Sequence, residues 1–312
     1  MARVAIVGCG AMGSVYAGLM ADSGHEVIAI EIWQEHVDAI NEHGLRVEGA
    51  SGNRTVKVRA TNSAQGVPPC DLVIIATKAF DVEAAAESAK SLIGEHTVVQ
   101  TIQNGIGAQK KVAETIGENQ LVIGVVGGFG ASFKGPGHVH HNGMEMIRFG
   151  AYSDLPRERL EQSATIWETS GFKTQLFTDV KQMLWEKLIM NVAFSGTTCS
   201  TGLTIGEVLN NEDAWDLAKK CSLEAIEVAN RLNIKLDVGD PIEYVKKLGS
   251  KIPNAKPSML LDHLDKKRSE IDYINGGVVR IAKSVGVKTP VNNTVVSIIK
   301  ARESQYLDRK DI

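Results

Sequence analysis

The chain has 312 residues, and single hydrophobic cores stop growing at about 250–300 residues, so two domains are expected. Charged residues make up 23% and the formal net charge is -3, which lacks the basic footprint of a nucleic-acid or polyanion binder. The four cysteines, Cys9, Cys70, Cys199 and Cys221, form no C-x-x-C, and no apolar run reaches membrane-spanning length. A soluble cytoplasmic protein without signal peptide, disulfide, metal or membrane partner is expected.

The first predicted element is an apolar strand, Arg3-Val4-Ala5-Ile6-Val7, which runs directly into Gly8-Cys9-Gly10-Ala11-Met12-Gly13. Helix-forming residues occupy 14–23, and a second strand at 26–30 closes on Glu31. A G-x-G-x-x-G alone is a weak signal. With strand before, helix and second strand after, and an acidic residue about 20 positions on, it reads as a dinucleotide-binding loop. Gly8 allows the tight turn, Gly10 lets a pyrophosphate approach, and Gly13 lets the helix pack close to the strand. The helix N-terminus, with its N–H groups and dipole, then faces the phosphates. Cofactor contacts are expected from Gly8, Cys9, Gly10, Ala11, Met12, Gly13 and Glu31.

Further along, residues 37–43 read as a helix with Gly44 as its C-cap. Residues 45–47 and 55–58 read as a hairpin around the turn at 49–52. A continuous apolar run at 71–76 predicts a strand buried on both faces, and 82–93 an alanine-rich helix. Strands are predicted at 97–102, which ends on Gln103-Asn104-Gly105, and at 121–126. The run 138–149 alternates and reads as antiparallel. Alternating strand and helix predicts an α/β fold with a doubly wound, mostly parallel sheet. From Val180 onward the pattern is helical, with periods at 181–194, 212–232, 241–247, 258–285 and 292–305. The predicted domains are therefore a dinucleotide-binding domain at 1–178 and an all-helical substrate and catalytic domain at 179–312.

Ligands of such sheets sit beyond the carboxyl ends of the strands, which singles out the glycine loop, Glu31, Lys78 and Asn104. Glu31 can accept hydrogen bonds from the adenosine ribose hydroxyls of NAD and would repel the 2′-phosphate of NADP. NAD(H) is thus favoured; NADP(H) is the alternative, because Lys78 can offset that phosphate. Lys187 lies in a helix apolar nearly all round, one turn from Asn191 on the same face, and is expected to be buried. Lysines in such surroundings suit general acid or base work near neutral pH. Gly276 and Gly277 stand inside a predicted helix, which implies a close approach to the backbone there. His138 and His140 share a strand face, but no carboxylate or cysteine is expected to complete a metal site.

Taken together, these residues resemble the ketopantoate reductase (2-dehydropantoate 2-reductase) family. The resemblance rests on the 8–13 loop, Ala76-Thr77-Lys78-Ala79, Gln103-Asn104-Gly105, Lys187-Leu188-Ile189-Met190-Asn191, Pro257-Ser258-Met259-Leu260-Leu261-Asp262 and Glu270-Ile271-Asp272-Tyr273-Ile274-Asn275-Gly276. It implies a Rossmann-type domain followed by a helical one, and hydride transfer from a nicotinamide to the C2 carbonyl of a 2-oxo acid. By the same resemblance, Lys187 is the general acid, with Glu270 hydrogen-bonding at the carbonyl side and orienting the nicotinamide ribose. Asn104 and Asn191 position the substrate, Ser258 binds its carboxylate, and Lys78 lies near the adenosine end. Asn104 also counts among the cofactor contacts.

Where ketopantoate-specialised members carry pocket asparagines, this chain has Ser195, Ile205 and Ala255, and Ser195 is retained as a substrate contact. The implied pocket is more apolar. Two other readings stand beside the first. One is an NAD-dependent 2-hydroxyacid dehydrogenase for a more apolar substrate, and the other a non-catalytic dinucleotide-sensing protein. The expected partner is a small molecule, and a homodimer is compatible with each reading.

Overall fold

The computed structural model describes residues 1–128, 130–143 and 146–308. The chain divides into two units: residues 1–103 with 108–180, and residues 104–107 with 181–312. The short segment 104–107 therefore packs with the helical residues, although the sequence reading left it inside the first domain.

In chain order the first unit contains strand β1 (Arg3–Val7), helix α1 (Ala11–Asp22), β2 (Glu26–Ile30), α2 (Gln34–His43), β3 (Leu45–Gly49), β4 (Arg54–Val56) and β5 (Arg59–Thr61). It continues with β6 (Leu72–Ile75), α3 (Val82–Ala89), β7 (Val98–Thr101), α4 (Ala108–Ile116), β8 (Leu121–Gly127), β9 (Gly130–Gly135), β10 (His138–Gly143), β11 (Met146–Ala151), α5 (Arg157–Thr169) and β12 (Thr174–Leu176). The main sheet has eight strands in the order β12-β11-β8-β7-β6-β1-β2-β5. β5, β2, β1, β6, β7 and β8 run parallel, and β8 pairs antiparallel with β11. From β5 across to β8 this is the 3-2-1-4-5-6 order of a doubly wound Rossmann-type sheet, whose order reverses between β1 and β6.

The central strands are buried apart from half-buried Arg3 at the start of β1, and β6 is an unbroken apolar run. On the α1 side, Tyr16, Trp167 and Phe172 meet edge to face, and Trp167 Nε1 donates to the buried Gln100 amide at 2.8 Å. That bond satisfies two polar groups that burial would otherwise leave costly. The 138–149 run is not one antiparallel piece. β10 lies in a second, four-stranded sheet (β4-β3-β10-β9), parallel to β3, whereas β11 joins the main sheet. Met144 and Glu145, within that run, lie outside the described residues, as do 309–312 at the end of the predicted helical domain.

The second unit is built from α6 (Val180–Thr201), α7 (Ile205–Asn210), α8 (Glu212–Arg231), α9 (Pro241–Lys251), α10 (Ser258–Leu264), α11 (Asn275–Val285) and α12 (Pro290–Glu303). α6 supplies its core, with Trp185, Leu188, Ile189, Val192 and Phe194 buried against residues of α8, α11 and α12. The predicted helix 258–285 is interrupted. Lys266 adopts a left-handed conformation (φ 55°), and residues 271–274 form turns before α11 begins. Gly276 and Gly277 thus lie in the first turn of α11, where the mid-helix cost assumed from sequence does not arise. The inferred close approach does exist: a Cβ on Gly277 would lie 2.8 Å from Ile106 Cγ2.

Candidate active site

Each glycine of the 8–13 loop has a separate spatial reason. Gly8 adopts φ +87°, and a Cβ there would lie 2.6 Å from the Thr77 amide nitrogen, so β1 and β6 meet too closely for any side chain. A Cβ on Gly13 would strike the Gly8 carbonyl at 2.4 Å. Gly10 has nothing within 4 Å of its Cβ direction, which leaves room for a ligand against the backbone. α1 starts after Gly10 with no side-chain cap, so its first-turn N–H groups have no hydroxyl or carboxylate partner at that cap. These features fit a dinucleotide pyrophosphate.

Glu31 directly follows β2. Its Oε1 accepts hydrogen bonds from the Ile32 and Trp33 amides at 2.8 and 3.2 Å. A carboxylate has about four lone-pair positions, so this anchoring fixes its direction and leaves capacity for ribose hydroxyls. Ile32 beside it is 90% exposed. Lys78 is half-buried, at the start of the short turn Ala79–Asp81 that follows β6.

Within the helical unit, three predicted residues meet. Glu270 is only 4% exposed, and its Oε2 accepts from Asn104 Nδ2 at 3.2 Å. Asn104 Oδ1 in turn accepts from Asn191 Nδ2 at 3.4 Å. A carboxylate can only accept, so this chain fixes the Asn104 amide with its nitrogen toward Glu270 and its oxygen toward Asn191. Lys187, one turn before Asn191, shares that face of α6. The lysine is half-buried rather than enclosed. The buried charge on this stretch of α6 is Glu186, which accepts from Gln182 and from the Asp237 amide.

Asn104 is held by its own loop. Ile106 N–H donates to the Tyr273 carbonyl at 2.8 Å, and Arg280 donates to the carbonyls of Ile106 and Asp272. Gly105 and Gly107 have φ of +83° and +108°. The segment carrying Glu270 is fastened on its other side: Ser269 N–H donates to Glu303, and Asp272 pairs with Lys300 at 2.7 Å. Arg280 and Gln103 support these segments; the sequence singled out neither for a role, Gln103 entering only as part of the Gln103-Asn104-Gly105 motif. Buried Gln103 donates to the carbonyls of Ile75 and Thr77, and so braces the carboxyl end of β6 beside Gly8. The signal available was its place between a strand and Asn104.

Other predicted residues stand apart. Ser258 is exposed at the first position of α10. Ser195 is buried one turn beyond Asn191, and Ile205 N–H donates to the Ala255 carbonyl at 3.1 Å. Ile205, 3% exposed, belongs to the helical core rather than to an open pocket. Glu48 lies 3.0 Å from His138 and 3.5 Å from His140. His138 holds the Glu48 carboxyl below the ordinary carboxylate range, chiefly through their hydrogen bond. Among the described residues no group of three or more His, Cys, Asp or Glu is placed to hold a metal ion, and no helix is long and apolar enough to cross a membrane.

The family model described as ketopantoate reductase PanE/ApbA matches residues 4–154, and its C-terminal counterpart matches residues 179–303. The 2-dehydropantoate 2-reductase of Pyrococcus horikoshii is 32% identical over 302 residues, covering 97% of this chain and 98% of that protein. A PanE/ApbA family ketopantoate reductase from Ralstonia eutropha superposes with a TM-score of 0.89 at 30% identity, over 97% of this chain and 99% of the other. D-mandelate dehydrogenase, solved with NADH and anilino(oxo)acetate, superposes with a TM-score of 0.91 at 27% identity, over 97% and 99%. The chain belongs to the ketopantoate reductase family.

Proposed function

We propose that this protein is an oxidoreductase of the 2-dehydropantoate 2-reductase type, reducing the C2 carbonyl of ketopantoate to give pantoate. The observation that carries the reading is the hydrogen-bonded set Glu270–Asn104–Asn191, together with Lys187 on the same helix face as Asn191. A bound reduced nicotinamide supplies the hydride. Lys187 delivers the proton to the oxygen on which negative charge develops. Asn104 and Asn191 position the substrate, Ser195 contributes a further contact, and Ser258 takes the carboxylate. Glu270 orients the nicotinamide ribose, while the 8–13 loop takes the pyrophosphate, Glu31 the adenosine ribose and Lys78 the adenosine end. The test is nucleotide oxidation on a panel of 2-oxo acids. Ketopantoate-dependent turnover supports the reading. Tight dinucleotide binding with no turnover on any 2-oxo acid would instead favour a sensor.

The cofactor is a nicotinamide dinucleotide, and NADH is the preferred form. The fixed Glu31 carboxylate supports this, because a 2′-phosphate would be placed against a like charge. We expect kcat/KM to favour NADH by about tenfold, which is about 1.4 kcal/mol, and Glu31→Arg to move the preference toward NADPH. A tenfold preference for NADPH in the parent chain would refute the assignment. A cytoplasmic location and a homodimer belong to the same proposal. The location is supported by four buried thiols, of which Cys9 and Cys199 are pushed up to about 12 by burial.

A second reading, an NAD-dependent 2-hydroxyacid dehydrogenase for a more apolar substrate, draws on the likeness to D-mandelate dehydrogenase. Ketoisovalerate, which lacks the hydroxyl of ketopantoate, separates the two. A missing hydrogen bond to a substrate hydroxyl costs about 0.5–1.5 kcal/mol, so a relaxed pocket should discriminate by no more than about 13-fold. A preference for ketopantoate above about 10³-fold would reveal dedicated hydroxyl-reading groups and remove this reading.

A further inference from the structure

The glycine loop is tied to a fully buried histidine that the proposed chemistry does not use. Gly137 N–H donates to His36 Nδ1 at 2.9 Å. An acceptor nitrogen carries no proton, so the imidazole is neutral with its proton on Nε2. Burial acts in the same direction, holding the imidazole below its ordinary range. Nε2 lies 3.0 Å from Ser14 Oγ and donates to it, and the Ser14 hydroxyl donates to the Cys9 carbonyl at 3.0 Å. Every proton in this relay has one direction: Gly137 to His36, His36 to Ser14, Ser14 to Cys9.

Its endpoint matters because of peptide planarity. In a trans peptide the carbonyl of Cys9 and the N–H of Gly10 point in opposite directions. With the Cys9 oxygen drawn inward to buried Ser14, the Gly10 N–H is turned outward, away from the protein interior. The same imidazole lies flat against Trp33, with ring centroids 5.4 Å apart and planes at 9°, and takes the edge of Phe133. Trp33 N–H donates to Glu31. One side chain thus joins the glycine loop to the loop that carries Glu31.

We propose that His36 and Ser14 are positioning residues for the dinucleotide. They lock the Cys9–Gly10 peptide so that its N–H faces the pyrophosphate, and they hold this plane in register with the Glu31 loop. The inference rests on the nicotinamide reading above and adds to it which buried groups set the loop.

The test measures NADH dissociation by fluorescence, alongside KM for ketopantoate and kcat at saturating NADH. Ser14→Ala removes the hydroxyl that holds Cys9, and His36→Gln keeps a donor for Ser14 within the same pocket. We expect Ser14→Ala to weaken NADH binding at least tenfold, with the ketopantoate KM and the saturating kcat changed less than twofold. His36→Gln should stay within threefold of the parent. If the alanine chain does not fold, Ser14→Thr and Ser14→Val, equal in shape and differing by the hydroxyl, carry the same comparison, with binding retained only in the threonine chain. Folded Ser14→Ala that binds NADH within twofold of the parent overturns the inference. So does a parallel loss in all three parameters, which would mark a structural role alone. A parent chain that binds neither NADH nor NADPH overturns the function reading itself, and the two failures are therefore distinct.

Discussion

Replacing Lys187 by alanine is expected to lower kcat by about 10²–10⁴-fold, the range for loss of a general acid, with NADH affinity little changed. The expectation rests on the helix face that Lys187 shares with Asn191, whose amide reaches Asn104 and, through it, Glu270. Glu270→Ala should also impair turnover. The double variant should lose less than the product of the two single losses, because both residues would serve one reacting carbonyl. Steady-state kinetics at saturating cofactor measure both effects. A loss below fivefold for Lys187→Ala would reassign the lysine to the surface.

The second large effect is expected at Gly105. An alanine there would place its Cβ 2.2 Å from the Tyr273 carbonyl oxygen while φ is held at +83°. Both the clash and the left-handed backbone oppose it, and a stability loss of about 2–4 kcal/mol should follow. Gly107→Ala offers the contrast. Its closest neighbour, at 2.6 Å, is the far end of the Arg280 side chain, which can move by giving up its bond to the Ile106 carbonyl rather than by displacing backbone, so the loss should be smaller. Urea midpoints read the difference, and equal losses at the two positions would count against the account. Because Gly105 adjoins Asn104, its variant should also lose turnover beyond what the unfolded fraction explains.

Much of the first unit was legible because its signals are local. The 8–13 loop, the strands before and after it, and the apolar run at β6 each follow from residue type at fixed spacing. α4 and α5 went unassigned because their inward stripes are narrow: Leu160, Ala164 and Trp167 face in among mostly polar neighbours. The error at 138–149 has a different origin. Alternation shows that a strand has one buried face, but not which strand it pairs with, and β10 and β11 alternate alike in different sheets. The break after α10 was hidden because no glycine or proline marks it; Lys266 makes the left-handed turn instead.

The candidate site was legible residue by residue but not as a set. Asn104, Asn191 and Glu270 are far apart in sequence, and only folding shows that two amides bridge to one carboxylate. Lys187 looked enclosed because its neighbours are apolar, yet an α-helix turns about 100° per residue, and its direction differs from that of Leu188 and Ile189. Arg280 and His36 were missed for a shared reason. Each acts through backbone groups, which no side-chain motif records.

The membership of Asn104–Gly107 in the helical unit has a consequence for synthesis. Ile106 and Arg280, which hold each other by a side-chain to carbonyl bond, are 174 residues apart. At about 5–20 residues per second, the ribosome delivers the second about 10–35 s after the first. During that interval the nascent chain carries the Asn104 loop without the groups that fasten it. A fragment cut near residue 180 would remain in that condition permanently. Expressing the two halves as separate polypeptides would therefore give a helical half that lacks Asn104, and a sheet half in which the Ile106 amide has lost its acceptor at Tyr273.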